Sequence, residues 1–169
     1  MVSSPYIKCW RAREIDVEEV HGADLDAFLK LEEYLHLLKI ANIGTITDIV
    51  TDIEDNVNER FVYMFLAFGA SIKSFRKLRR VLVVDSTHLS GSFKGVLLTA
   101  NGQDTKFQVF PLAFAVVDSG NDASWTWFFQ KVERIIADSP SLTIISNRHS
   151  SIYTAKGKIF PKAHHGACK

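Results

Sequence analysis

Asp85 is the residue in this chain best placed by type and context to do chemistry. It closes a run of four apolar residues, 81–84, and is followed at once by Ser86, Thr87 and His88. A short apolar run without helical spacing reads as a buried strand. A carboxylate at the end of such a strand is costly to bury unless it is paired or binds a cation. Metal-dependent phosphoryl-transfer sites are built this way. A strand-end aspartate can equally cap a loop through its own backbone. The same pattern recurs at 142–147, where an apolar segment ends in Ser146, Asn147, Arg148 and His149. His88 and His149 are therefore candidates to face the Asp85 site, or they are ordinary loop histidines. Asp118 and Asp122 are further acids nearby in sequence, read as turn and cap residues.

A second candidate is basic. Lys73, Arg76, Lys77, Arg79 and Arg80 lie within eight positions just ahead of the Asp85 strand. Such a run is either a solvated face or a contact for nucleic-acid phosphates. The whole chain has a net charge of only +1, which hides an asymmetry. Residues 1–60 carry 13 acids and 6 bases, whereas residues 61–169 carry 6 acids and 14 bases. An acidic front precedes a basic body.

The elements that must position these residues follow from periodicity. A short helix is expected over 10–20 and a longer one over 24–39. In the longer helix Phe28, Leu31, Leu35 and Leu38 form an apolar stripe, and Asn42-Ile43-Gly44 ends it. Residues 45–53 and 61–68 read as strands, with an acidic turn at 54–56 between them, and 69–78 as a short basic helix or loop. In the body, strands are expected at 81–84, 94–100 and 107–117. Turns fall at Gly91-Ser92 and at 101–104, and Pro111 marks an edge or a bulge. Asp122 to Ser124 caps a helix whose apolar face is Trp125, Phe128, Phe129, Val132 and Ile136, ended by Ser139-Pro140. Trp125 and Trp127 read as packing residues. A strand at 142–146 and a helix at 150–160, stopped by Pro161, complete the pattern. Three antiparallel strands, then helix, strand and helix, make an α/β (α+β) mixed sheet covered by helices. The order is that of the beginning of an RNase H-like fold. The expected organisation is an N-terminal extension over 1–60 and a core over 61–169.

At 169 residues, 47% of them hydrophobic, the chain is large enough for one ordinary domain. The two cysteines, Cys9 and Cys168, form no disulfide framework and no repeated metal-binding pair, so a reducing, intracellular setting is expected. No apolar run is long enough for a membrane span, and the start does not read as a signal peptide.

From about Trp10 onward the chain resembles the Mutator-like (MULE) transposases of plants. The stretches that carry the resemblance are KCWRARE, the turn at Asn42-Ile43-Gly44, ERFVYMFLAFGASIKSFRKLRRVLVVDSTHL, SGSFKGVLLTANGQD, FQVFPLAFAVVDSGNDASWTWFF, LTIISNRHSSI and IFPKAHHGAC, in that order. The resemblance implies a retroviral-integrase-like, RNase H-type core, a nuclear location, and DNA as partner. It implies strand cleavage and transfer by three acids holding two Mg²⁺ or Mn²⁺ ions. Asp85 matches the first of those acids. The second belongs before the arginine of LTIISNRHS, where this chain has Asn147. The third lies beyond Lys169. One of three acids remains, so activity and productive metal binding are not expected. His164, His165 and Cys168 resemble the start of a Cys/His element, and zinc is not expected there. Three readings stay open: an inactive, truncated transposase core; a domesticated DNA-binding or regulatory module; and an enzyme whose remaining acid is encoded elsewhere. A truncated sheet would expose Ile152, Ile159 and Phe160, leave the last ten or so residues poorly ordered, and favour self-association.

Overall fold

The computed structural model describes residues 30–54, 58–90 and 95–167. The helix expected over 10–20, the Gly91-Ser92 turn and both cysteines lie outside them. A first helix, α1, spans Leu31–Ala41. It ends as the sequence requires: Asn42 returns its backbone and side-chain N–H groups to the Leu38 carbonyl, and Gly44 turns the chain at φ 86°, in the left-handed region.

Seven strands follow, all within the compact unit Leu37–Lys169. They are β1 (Ile46–Glu54), β2 (Asn58–Ala67), β3 (Val81–His88), β4 (Val96–Gln103), β5 (Val109–Val117), β6 (Thr143–Ser146) and β7 (His164–Ala167). They form one sheet in the order β1-β2-β5-β4-β3-β6-β7. β1 through β3 in that order are joined antiparallel, and β6 and β7 add parallel to β3. β1 and β2 pair across residue 60 and belong to the same sheet as the body. Three more helices complete the described elements: α2 (Gly69–Phe75), α3 (Asp122–Glu133) and α4 (Ser150–Ile159). This is a mixed α/β architecture, as the sequence predicts.

One face of the sheet carries the core. Strand alternation points Leu82 and Val84 of β3, Leu98 and Ala100 of β4, and Ala113 and Ala115 of β5 into it, each at most 1% exposed. The small alanines leave room for the aromatic stripe of α3. Trp125, Phe128 and Phe129 are buried there, and Phe129 meets Phe160 edge-on at 5.6 Å between ring centres. Fully burying each such side chain stabilises the fold by about 1.5–3 kcal/mol. The opposite parity, with Val83, Leu97, Thr99 and Ile145, is only half-buried.

Several boundaries differ from expectation, each for a physical reason. β3 does not stop at Val84 but runs to His88, because β4 continues to pair with it through His88–Val96. The turn expected at 101–104 is strand through Gln103; the reversal is made by Asp104, whose carboxylate accepts the N–H groups of Lys106 and Gln108. Gly102 is in the strand, paired with Leu82 and Phe110, and Phe75 lies over it. A Cβ there would stand 2.7 Å from Cδ2 of that ring. Pro111 sits at a register shift, the bulge expected of it, in a β5 flanked by β2 and β4. β2 pairs with β5 only at residues 114–116, so the missing N–H of Pro111 breaks no bond to it. The cap of α3 is Asn121, one residue earlier than expected, and α3 ends at Glu133, well before Ser139-Pro140. Ile152 and Phe160 are fully buried and Ile159 is packed against the core, so the apolar patch expected on the last helix does not exist. Residues 164–167 form β7 instead of a disordered tail.

Candidate functional site

The site is built where β3 outruns its neighbour. On one side β4 pairs with β3 from Leu82 to His88; on the other, β6 pairs only with residues 81–83. Beyond Val83, β3 therefore has a paired flank and a flank past the end of β6. Asp85 is the acid at that step, and it is exposed. Its Oδ1 accepts the N–H of Ser86 at 2.8 Å, and its carbonyl accepts the hydroxyl of Thr99 at 3.4 Å.

The parallel register puts Asn147 at the same end of the sheet. Val83 is beside Ile145, so Asp85 and Asn147, each two residues further on, follow the same end of neighbouring parallel strands, β6 itself ending at Ser146. Asn147 is exposed, and its Oδ1 accepts the N–H of His149 at 3.1 Å, a turn that starts α4. Beneath it, Ser146 donates to the Asn147 carbonyl at 2.7 Å and meets Nε2 of His165 at 2.8 Å. The His165 ring lies against Tyr153, 4.0 Å between centres. Burial pushes His165 below its ordinary pKa, and the nearby Lys156 charge acts in the same direction.

The other sequence candidates divide. His149 belongs to the Asn147 turn. His88 does not face Asp85: three positions along an unbroken strand put it on the opposite face. Asp118 is held in the β5–α3 loop by Ser119 N–H at 2.7 Å, and Asp122 opens α3. β5 lies two strands from β3 in the sheet, about 10 Å across. Trp127 leans on Tyr63, 5.0 Å between centres, and under Lys131, which pairs with Asp48. It is a packing residue of the α3–sheet junction.

The basic run is not part of the Asp85 end. Lys73 lies in α2, Arg76 at its end, and Arg79 and Arg80 precede β3. Arg80 is about 17 Å of strand from Asp85, at the other end of the sheet. Its guanidinium donates to the Ala137 carbonyl at 3.2 Å.

Two residues beside Asp85 were missed by sequence reasoning. Thr99 is its direct partner across β4, and Asn101 donates to Thr99 Oγ1 at 3.2 Å. Their signal was present: Thr99, Asn101 and Gln103 alternate with apolar and small residues along one strand. The resulting patch of Asp85, Thr99 and Asn101 offers one carboxylate among neutral oxygen and nitrogen groups, with Asn147 past the same end of the neighbouring strand. Among the described residues no three His, Cys, Asp or Glu side chains converge as a metal-binding group.

The family model of the MULE transposase domain matches residues 81–169, from the first residue of β3 onward. The chain belongs to this family. A comparison with curated proteins finds no match. The matched region of this MULE domain thus contains both Asp85 and Asn147, and the sheet from β3 to β7. No helix among the described residues is long and apolar enough to cross a membrane.

Proposed function

We propose that this MULE domain is a transposase core of RNase H-like type that has kept its sheet and DNA-facing role but lost strand-cleavage chemistry. The strand order supports the fold reading: three antiparallel strands, β3 to β5, then two parallel strands, β6 and β7, each entered through a helix. The observation that carries the functional reading is the parallel pairing of β3 with β6, which puts Asp85 and Asn147 at the same end of neighbouring strands. In-line attack on a phosphodiester needs the entering and leaving oxygens stabilised together, usually by two divalent ions about 3.5–4 Å apart. Mg²⁺ and Mn²⁺ prefer hard oxygen ligands, and two such ions held close together need carboxylate charge to offset their repulsion. The carboxylate of Asp85 is one such ligand. The amide of Asn147 carries no charge, and its oxygen already accepts the His149 N–H. The donor set does not fit a divalent pair.

What remains for such a core is binding: DNA as the partner, in the nucleus, either as a passive member of a transposition assembly or as a domesticated regulatory module. The basic run ahead of β3 favours the binding role. The test is direct. Purified protein with Mg²⁺ or Mn²⁺ is incubated with end-labelled duplex, and the duplex stays intact. Cleavage that vanishes in Asp85→Ala overturns the reading.

A further inference from the structure

We propose a nucleic-acid-binding track at the amino end of β3, at the far end of the sheet from Asp85, made by the α2–β3 turn and the β4–β5 turn together. It rests on the reading of this domain as DNA-facing and says where and in what form a strand is held. The phosphate contacts are Arg76, Lys77, Arg79 and Lys106, and Phe107 is a stacking surface for an unpaired base.

The two turns are far apart in sequence and are locked together by the core. Phe75, the last residue of α2, is 2% exposed and lies over Gly102 near the end of β4. Leu78, in the turn after α2, approaches the same glycine: its Cδ1 would stand 3.4 Å from a Cβ there. That packing leaves Arg76, Lys77 and Arg79 exposed on one side and sets them beside the residues that follow Gln103. The contact is closed by Arg79, whose guanidinium lies 4.6 Å over the Phe107 ring.

Beyond its contact with Arg79, Phe107 packs into no core. It is 66% exposed, and its φ of 64° places a bulky side chain in the left-handed region. Val109, two residues on, is 62% exposed. The turn that holds Phe107 out is fixed by the Asp104 carboxylate, which accepts two backbone N–H groups.

Charge at this end is available rather than cancelled. The carboxylate of Asp104 is engaged by backbone amides, and that of Asp138 by the N–H groups of Lys162 and Ala163. Among the described residues, none of the four proposed bases has a carboxylate within 4.0 Å. Unpaired bases beside one exposed ring are the combination used for single strands: cations follow the backbone and the ring stacks on a base. A purely acidic peptide would use the cations and have no need of the ring.

The experiment uses the full chain with a labelled oligothymidine and the corresponding duplex, titrated at several salt concentrations. The double variant Arg76→Glu, Lys77→Glu is expected to weaken both about tenfold and to lower the salt slope by about 2. Phe107→Ala is expected to weaken the single strand about tenfold and leave the duplex nearly unchanged, with Phe107→Tyr restoring it. Lys39→Glu, the same charge change on α1, is the control and is expected to change neither. Circular dichroism confirms that each variant is folded. Charge-reversal and Phe107 variants that bind like the parent overturn the track, while the transposase reading, tested by cleavage, stands. A parent chain that binds no oligonucleotide overturns both the track and the DNA-facing role. Loss on charge reversal with no effect of Phe107→Ala, or preference for a polyglutamate chain over oligothymidine, overturns the stacking proposal.

Discussion

Asp85 on β3 and Asn147 just past β6 lie at the same end of neighbouring parallel strands. One side chain is a carboxylate and the other is the neutral amide of the same length. Placement and charge can therefore be separated experimentally.

Asn147→Asp tests that separation. A second carboxylate at the same strand ends would repel that of Asp85, so the thermal midpoint of the variant is expected to fall in chelator and to recover with Mn²⁺. Mn²⁺ binding in the roughly millimolar range should appear in electron paramagnetic resonance titrations. Adding Asp85→Asn should abolish it. A parent protein that binds Mn²⁺ as well as the variant does would sink the assignment.

Gly102 is predicted to tolerate no side chain. Gly102→Ala drives a methyl group against the buried Phe75 ring and should cost about 1–3 kcal/mol in urea unfolding. The clash has a specific partner, so Phe75→Leu in the same chain should cost less than it does alone. Additive losses would mean that the two residues do not press on each other.

Phe160→Ala should cost about 3–5 kcal/mol, because the ring is fully buried against Phe129. The same burial removes the apolar patch anticipated from sequence. A loss under about 1 kcal/mol would place the ring in solvent after all.

His165 should make stability depend on pH. Its folded pKa is lowered by burial and by Lys156, so the unfolded chain takes up the proton first. The stability is complete above the ordinary histidine value of about 6.5 and is lost as the pH falls from there toward the lowered folded value. Denaturation midpoints at pH 8 and pH 5 measure the difference. In His165→Phe that difference should shrink; an unchanged difference would assign the effect to another group.

Most of the sheet was legible because its strands alternate or run apolar over their whole length. The pairing of 81–84 with 142–146, each ending in polar residues, already implied that Asp85 and Asn147 share an end. What could not be read was set by distant partners. Apolar pattern reports burial and not hydrogen bonding, so β3 seemed to stop at Val84 although its ladder with β4 continues to His88. The sequence NGQD looks like a turn, but Gly102 is paired on both sides, with Leu82 and Phe110, and lies under the ring of Phe75, twenty-seven positions earlier. Ile152 and Phe160 looked exposed because the helix that covers them, α3, is separated from them in the chain by β6. Thr99 and Asn101 were overlooked because a polar residue on a strand is usually solvated, and only the register places these two beside an acid.

The narrow seam between β2 and β5 has a consequence for motion. The β1–β2 hairpin is joined to the rest of the sheet through three residue pairs, Met64–Val116, Phe65–Ala115 and Leu66–Phe114. Its own two strands are paired along nine positions. With so short a seam in the sheet, the hairpin is expected to open before the sheet unravels. It is tied to α3 by Lys131 on Asp48, by Trp127 on Tyr63 and Phe65, by Phe128 on Phe65, and by the Ser124 hydroxyl donating to that of Tyr63. In native-state hydrogen exchange the amides of β1 and β2 should release together, ahead of those of β3 and β4, and Lys131→Ala should hasten the hairpin alone. The part of the sheet ahead of the matched transposase region is thus a flap latched to it by one helix.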